Sequence, residues 1–442
     1  HDAVNGRTGL KSITTLCVFA LLSGCVMPDM TLGNPLAMLS RTKTDTASPQ
    51  ALDAQMENGQ QSDIINGLLN RRSVLGAGPY TQVANAVLAA NSRAAEADLR
   101  AAKLRAEARA NNWLPTLGPS VSLSSLGTVV TSLVVEQVLF DNGRKKAERD
   151  YAAADVEVAA VTLAQDTNSR VLSALELYLA AQAASARADV NAAALQKMER
   201  FEYVMSERVK GGVSSRVDLL VVQQKLNQMR SDMATDQEAA AAAMSELGAM
   251  SAAPLAGVTG LSPLTDDNVN STPLTVLKAQ AQSSRAIAEA TAARAGFLPR
   301  LTAGGDVSGG GGLGLSLGAP NGFGFGTGAA LRAADAQKAA ASARVGQVRE
   351  DANRALRALE GELVSLQRKA AQSQTLADQA AANYDIYAEQ QRAGQRAVPD
   401  VVGIFETKVR TERAAVSLKY EIARVTLRIA ALKGTLVNGE QI

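Results

Sequence analysis

Few side chains in this 442-residue chain could do covalent or metal chemistry. The one histidine is His1, and the only thiols are Cys17 and Cys25. Cys/His nucleophile pairs, disulfide frameworks and His/Cys metal clusters therefore lack their raw material. Carboxylates are plentiful, but they mostly sit on helix faces opposite Lys and Arg, the ordinary solvated pattern. The glycines between Gly304 and Gly328 invite a phosphate-loop reading, yet no Gly-Lys-Ser/Thr follows and no alternating strand–helix pattern surrounds them. A net charge of +2 does not describe a nucleic-acid surface. No catalytic residue, metal or bound cofactor is expected, and an enzyme built on this chain would have to work with carboxylates alone.

What remains is acylation of one thiol. Arg7 and Lys11 precede the apolar run "ITTLCVFALL", too short to span a bilayer and patterned as a signal peptide. It closes on Leu22-Ser23-Gly24-Cys25, small residues before a cysteine as in a bacterial lipobox. The expectation is a leader over 1–24, a covalent lipid on Cys25, and a lipidated N-terminal linker over 25–80. Val26 stands where many bacteria place the aspartate that retains lipoproteins at the inner membrane. No later stretch offers the roughly 20 apolar residues of a helical span.

The elements that must carry any function come in two copies. The chain is 46% hydrophobic but 3% aromatic, with much of the apolar content in alanine, which favours helices and their close approach. "ARANNWLPTL" (Ala108–Leu117) and "ARAGFLPRL" (Ala293–Leu301) are the same break, and the glycine turns further on match as well: Gly212 and Gly394 each precede an aspartate, Asp218 and Asp400, by six residues. Near-constant spacing marks a duplication, with a first repeat over 81–260 and a second over 261–442. Helices are expected near 82–112, 143–209 and 216–247, then 273–296, 329–392 and 399–436. The long ones contain no proline and have apolar residues at three- and four-residue spacing, so a second-repeat hairpin over 329–436 mirrors a first over 143–247. About 65 helical residues reach roughly 100 Å, and such a rod needs neighbours to cover its apolar stripe.

Between helix and rod each repeat has an almost uncharged segment. From Thr116 to Phe140 the only charge is Glu136, and from Thr302 to Leu331 it is Asp306. Strand pairs are expected over about 116–140 and 301–328, of the length that tilted membrane strands need, with Leu-Pro turning the helix into the strand. Trp113, Phe140, Phe297, Phe323 and Phe325 lie in or beside these segments, as an interfacial girdle would. Four strands cannot close a barrel and an open edge is not tolerated in lipid, so the chain must oligomerise; three copies make twelve strands.

These residues resemble the TolC family of outer-membrane factors over nearly all of the mature chain. "VLFDNGRKKAERD" (Val138–Asp150) is similar to the family's strand-to-helix junction, and the paired Leu-Pro breaks and glycine turns follow its plan. The resemblance implies a mainly α fold with a β-barrel part: a homotrimer whose four strands per protomer complete a twelve-strand outer-membrane barrel, continued by a periplasmic α-barrel of long coiled-coil helices. It implies an exit duct for efflux or type I secretion, fed by an inner-membrane pump or ABC transporter through a periplasmic adaptor. The turn residues Gly212, Val213, Ser214, Gly394 and Gln395 would meet the adaptor. Asp218, Arg396 and Asp400 match the family's periplasmic gate, while Gly403 and Gln391 replace an aspartate and a tyrosine of that gate. Asp218 and Asp400 could equally cap their helices. A competing reading is a periplasmic adaptor lipoprotein, which also combines a leader with a coiled-coil hairpin.

Overall fold

A computed structural model describes residues 62–90, 94–123, 129–265, 271–306, 312, 314–322 and 324–441. The leader, Cys25 and Phe323 lie outside these residues. The helices are α1 (Asp63–Leu69), α2 (Pro79–Ala89), α3 (Ala94–Ala110), α4 (Arg144–Lys210), α5 (Arg216–Met250), α6 (Leu274–Ala295), α7 (Thr327–Arg392) and α8 (Val398–Lys433). The strands are β1 (Thr116–Leu123), β2 (Val129–Phe140), β3 (Arg300–Asp306) and β4 (Gly314–Gly318).

α4 and α7 run 67 and 66 residues, about 100 Å each. Shorter helices lie along them: α3 and α5 on α4, and α6 and α8 on α7. α6 and α8 also pack on α4. The order of rods is therefore α3–α4–α6–α7 on the strand side and α5–α4–α8–α7 on the turn side. α4 is an inner rod with neighbours on several sides, and its buried alanines alternate with Val171, Leu175, Tyr178 and Met198. α7 is an outer rod, and of its residues only Ala334, Ala341, Ala352, Ala377, Ala380 and Tyr384 are buried.

The apolar side chains form two clusters. One joins Leu68, Tyr80, Val83 and Val87 to Leu175, Tyr178, Leu427 and Leu436 in the middle of the rods. The other, near the glycine turns, joins Met198, Met205, Val222 and Leu226 to Tyr384, Val401, Val402 and Phe405. Between them runs a charged belt. Asp236 of α5 is nearly buried and accepts from Arg187 of α4 at 2.8 Å and Arg413 of α8 at 2.5 Å; Arg413 also reaches Asp232 at 3.3 Å. Lys225–Glu406 and Arg428–Glu176 likewise tie α8 to the first-repeat hairpin. Three sites of charge pairing thus fix how the two hairpins lie along each other.

One expected helix is two. The pattern over 82–112 reads as continuous, but α2 ends at Ala89 and α3 begins at Ala94. The cause is tertiary: Arg170 of α4 donates to Val87 O at 3.3 Å and Ala90 O at 2.9 Å, capping α2, and to Met250 O at 3.2 Å, capping α5. One guanidinium therefore satisfies carbonyls at two helix ends.

Candidate channel wall and inner turns

Each break works as its proline demands. α3 ends at Ala110 and β1 starts at Thr116, one residue after Pro115; α6 ends at Ala295 and β3 starts at Arg300, next to Pro299. On the return from strand to rod, Asp141 accepts from Gly143 N at 3.1 Å and Lys145 N at 2.8 Å, meeting the open amides of α4. Asn142 takes the left-handed conformation (φ 55°) and donates from Nδ2 to Pro299 O at 2.7 Å, fastening the first junction to the second break. The Asp-Asn-Gly of the junction is thus a cap, a left-handed turn and a tie between repeats.

The strands form one antiparallel sheet in the order β1-β2-β3-β4, with β1 and β4 at its open edges. Residues opposite one another in such a ladder share a face. Leu117 faces Val135, Pro119 faces Leu133, and Val121 faces Thr131; Ala303 faces Leu315, and Leu301 faces Leu317. All lie on one side of the sheet. The other side carries Ser120 opposite Ser132, Glu136 opposite Gly304, and Thr302 opposite Ser316. All three charged residues of the strands, Glu136, Arg300 and Asp306, fall on this polar side. Arg300 approaches Glu136 at 3.6 Å, and the Thr302 and Ser316 hydroxyls are 2.7 Å apart. A bulge between Val138 and Phe140 shifts the alternation, so that Phe140, opposite Leu301, joins the apolar side. That side is bare: Leu117, Leu315 and Leu317 are all more than 60% exposed.

Among the described residues the second strand pair stops short of the end expected over 301–328: β4 ends at Gly318. Glycines leave little to pack, and after Gly318 the chain turns so that Asn321 N donates to Gly296 O at 3.1 Å. That segment spends its hydrogen bond on the end of α6, not on a strand. Trp113, Phe140 and Phe325 are exposed at this junction, while Phe297 is half-buried.

At the far end of the rods the two turns have one backbone geometry. Gly212 and Gly394 are left-handed, with φ of 71° and 75°. Val213 N donates to Arg208 O, and Gln395 N to Gln390 O, each at 2.8 Å. Neither Asp218 nor Asp400 is the cap of its helix. Ser215 caps α5 by accepting from Val217 N at 3.1 Å, and Ala397 at the start of α8 has no side chain to cap with. Both aspartates lie in the first turn, where a carboxylate suits the positive helix end. Arg396 donates from Nε to Gln390 Oε1 at 3.1 Å and lies over the Tyr387 ring, 4.7 Å from its centre. Among the described residues it makes no contact with Asp218 within the protomer.

The side chains beneath the turns differ. Tyr384 and Phe201 both meet Phe405, with ring centres 5.1 Å and 5.8 Å away, and burial pushes the Tyr384 phenol upward, Asp385 adding to the effect. In the first hairpin Val213, Val217 and Leu220 are more than half exposed and Val221 more than a third. Sequence reasoning named Val213 as a turn residue and passed over Val217, Leu220 and Val221. Their signal was the run "VDLLVV" (Val217–Val222), too apolar for a helix with only one buried side.

The sequence matches no protein-family model and no curated protein. The fold does match solved structures. The outer-membrane channel OprN superposes with a TM-score of 0.69 at 18% identity, over 86% of this chain and 97% of that one. The outer membrane protein VceC from Vibrio cholerae gives 0.66 at 17%, over 85% and 96%. The CmeC outer membrane channel of Campylobacter jejuni gives 0.64 at 13%, over 94% of both chains. The chain has the fold of the TolC family of outer-membrane channels. At such identities the likeness speaks for the fold.

Proposed function

We propose that this protein is a passive outer-membrane exit channel. The observation that supports it best is the four-stranded sheet, apolar and bare on one side, charged on the other, and unpaired at both edges. Three copies joined edge to edge make a twelve-strand barrel with lipid outside and water within. Among the described residues no helix is long and apolar enough to cross a membrane. The rods continue the wall as an α-barrel into the periplasm. There, substrate enters from an inner-membrane pump or ABC transporter through a periplasmic adaptor that meets Gly212, Val213, Ser214, Gly394 and Gln395. The duct has no catalytic step of its own. A covalent lipid on Cys25 serves maturation and sorting more than anchoring, because the barrel already holds the trimer.

Three measurements test this reading. Purified protein in a planar bilayer should conduct, and should run as a trimer in detergent; a monomer without conductance removes the channel. A fatty-acid analogue should label the parent and not Cys25→Ala, and equal labelling removes the lipid assignment. In the gate reading, Arg396→Ala raises conductance and Asp400→Ala weakens cation selectivity. Unchanged currents in both variants leave Asp400 a charge favourable to the helix end and Arg396 a partner of Tyr387.

A further inference from the structure

A cleft of about 300 Å³ opens over α4 between α3 and α6, close to the strands. Its floor is Glu148, Tyr151, Ala152 and Asp155, spaced as one face of a helix. Tyr151 lies eight residues after Gly143, about 12 Å down the rod from the strand junction. The cleft faces away from α1 and α2. Glu157, two residues and about 200° around α4 from Asp155, accepts from Ser62 at the cap of α1. Twelve rods about 10 Å apart enclose a bore of about 30 Å, which three added pairs of helices, each about 10 Å wide, would block. An open duct therefore keeps α1 and α2 outside and the cleft on the bore, once in each copy.

The floor carboxylates are already neutralised. Asp155 accepts from Arg105 of α3 at 3.1 Å and, through its other oxygen, from Arg285 of α6 at 2.8 Å. Glu148 accepts from Arg109 of α3 at 3.3 Å and from Arg144 at 3.2 Å. These pairs brace the walls of the cleft and leave the two walls opposite in charge. On the α3 side Arg105 and Arg109 stand one turn apart, their side chains more than half exposed, and each gives its carboxylate a single nitrogen. On the α6 side Glu289 is exposed and, among the described residues, has no ion-pair partner. Between the walls lie the ring of Tyr151, 36% exposed, and the methyl of Ala152.

From this we infer that the cleft binds a small zwitterion laid across α4. Its anionic end meets the Arg105 and Arg109 forks, its ammonium meets Glu289, and its apolar body rests on the Tyr151 ring. Each contact uses a group that the protomer leaves free. A simple cation would enter a field of four guanidinium groups against three carboxylates, and a simple anion would leave Glu289 without a counter-charge. The site rests on the channel reading for its place on the bore and adds to it the class of small molecule that the wall favours. A duct must release what it holds, so the binding is weak.

Ligand-observed NMR on the purified full chain in a non-ionic detergent tests this with para-aminomethyl-phenylacetate, whose charges stand at opposite ends of one ring. Para-tolylacetate and para-methylbenzylamine carry one charge each on the same body. The zwitterion should bind about fivefold more tightly than either. Glu289→Gln should remove its advantage over para-tolylacetate and leave binding of that anion unchanged. Replacing Arg105 and Arg109 together by Gln should weaken zwitterion and anion alike. In that variant Asp155 keeps Arg285 and Glu148 keeps Arg144, so the fold survives, and an unchanged melting temperature checks it. Equal binding of zwitterion and anion, or binding indifferent to Glu289→Gln, overturns the zwitterion site. So does a conducting trimer that binds none of the three probes. A protein that binds as expected but forms no conducting trimer overturns the channel reading and the place on the bore, and one that does neither overturns both.

Discussion

The two inner turns share a backbone and differ in what their side chains do. In both, a left-handed glycine lets the amide of the next residue reach back to a carbonyl five positions earlier. After the first turn Val217, Leu220 and Val221 stay exposed and burial begins at Val222; after the second, Val398, Val401, Val402 and Phe405 are buried. The cause is position. α8 lies inside the wall between α4 and α7, whereas α5 ends it. Duplication copied the turn, and the neighbours decided which copy became core and which remained a surface.

The largest expected effect separates core from surface. Phe405→Ala removes the ring on which Phe201 and Tyr384 meet and should cost about 3–5 kcal/mol at the tips. Val221→Ala should change the stability of the protomer by no more than about 0.5 kcal/mol. Hydrogen exchange of the α8 and α5 amides reads both, and equal losses would abolish the distinction between inner and outer tips. Next comes the belt that keeps the hairpins aligned. Asp236→Ala leaves two guanidinium groups without their shared carboxylate and should cost about 3 kcal/mol, seen as a lower melting temperature.

The turns themselves should respond alike. Gly212→Val and Gly394→Val each force a branched side chain into left-handed backbone, at about 1–2 kcal/mol apiece. A tip that tolerates this change while its counterpart does not would break the symmetry of the duplication. The smallest effects sharpen the contrast. Ser215→Ala removes the α5 cap and should cost about 1 kcal/mol, while Ala397→Ser supplies α8 with the cap it lacks and should add a similar amount. Faster exchange of the first α5 amides in one variant, and slower exchange of the first α8 amides in the other, are the expected readings.

Much of this architecture is legible in the sequence because its signals are local. Proline after leucine ends α3 and α6, a glycine run of low charge limits α7, and three- and four-residue spacing without proline extends the rods. The long helices lie within a few residues of where the pattern puts them. What escaped depends on contacts far apart in sequence. The split between α2 and α3 follows from Arg170, some eighty residues away, and reads as continuous helix without it. The early end of β4 follows from Asn321 bonding to Gly296. Arg396 stands out in the sequence by its place beside the second glycine turn, but Tyr387 and Gln390, which hold it within the protomer, carry no pattern that distinguishes them.

By itself, then, the sequence determined the repeat, the elements and their ends, because periodicity, proline and left-handed glycine act within a turn or two of chain. It also determined that the strand segments are nearly uncharged. Only the tertiary structure decided which face of the sheet is polar, because the register sets Glu136, Arg300 and Asp306 on one side and a single bulge puts Phe140 on the other. And only the packing order of the rods decided which apolar residues are core, since of the matching residues Leu220 and Val402 the first is bare on α5 and the second buried on α8.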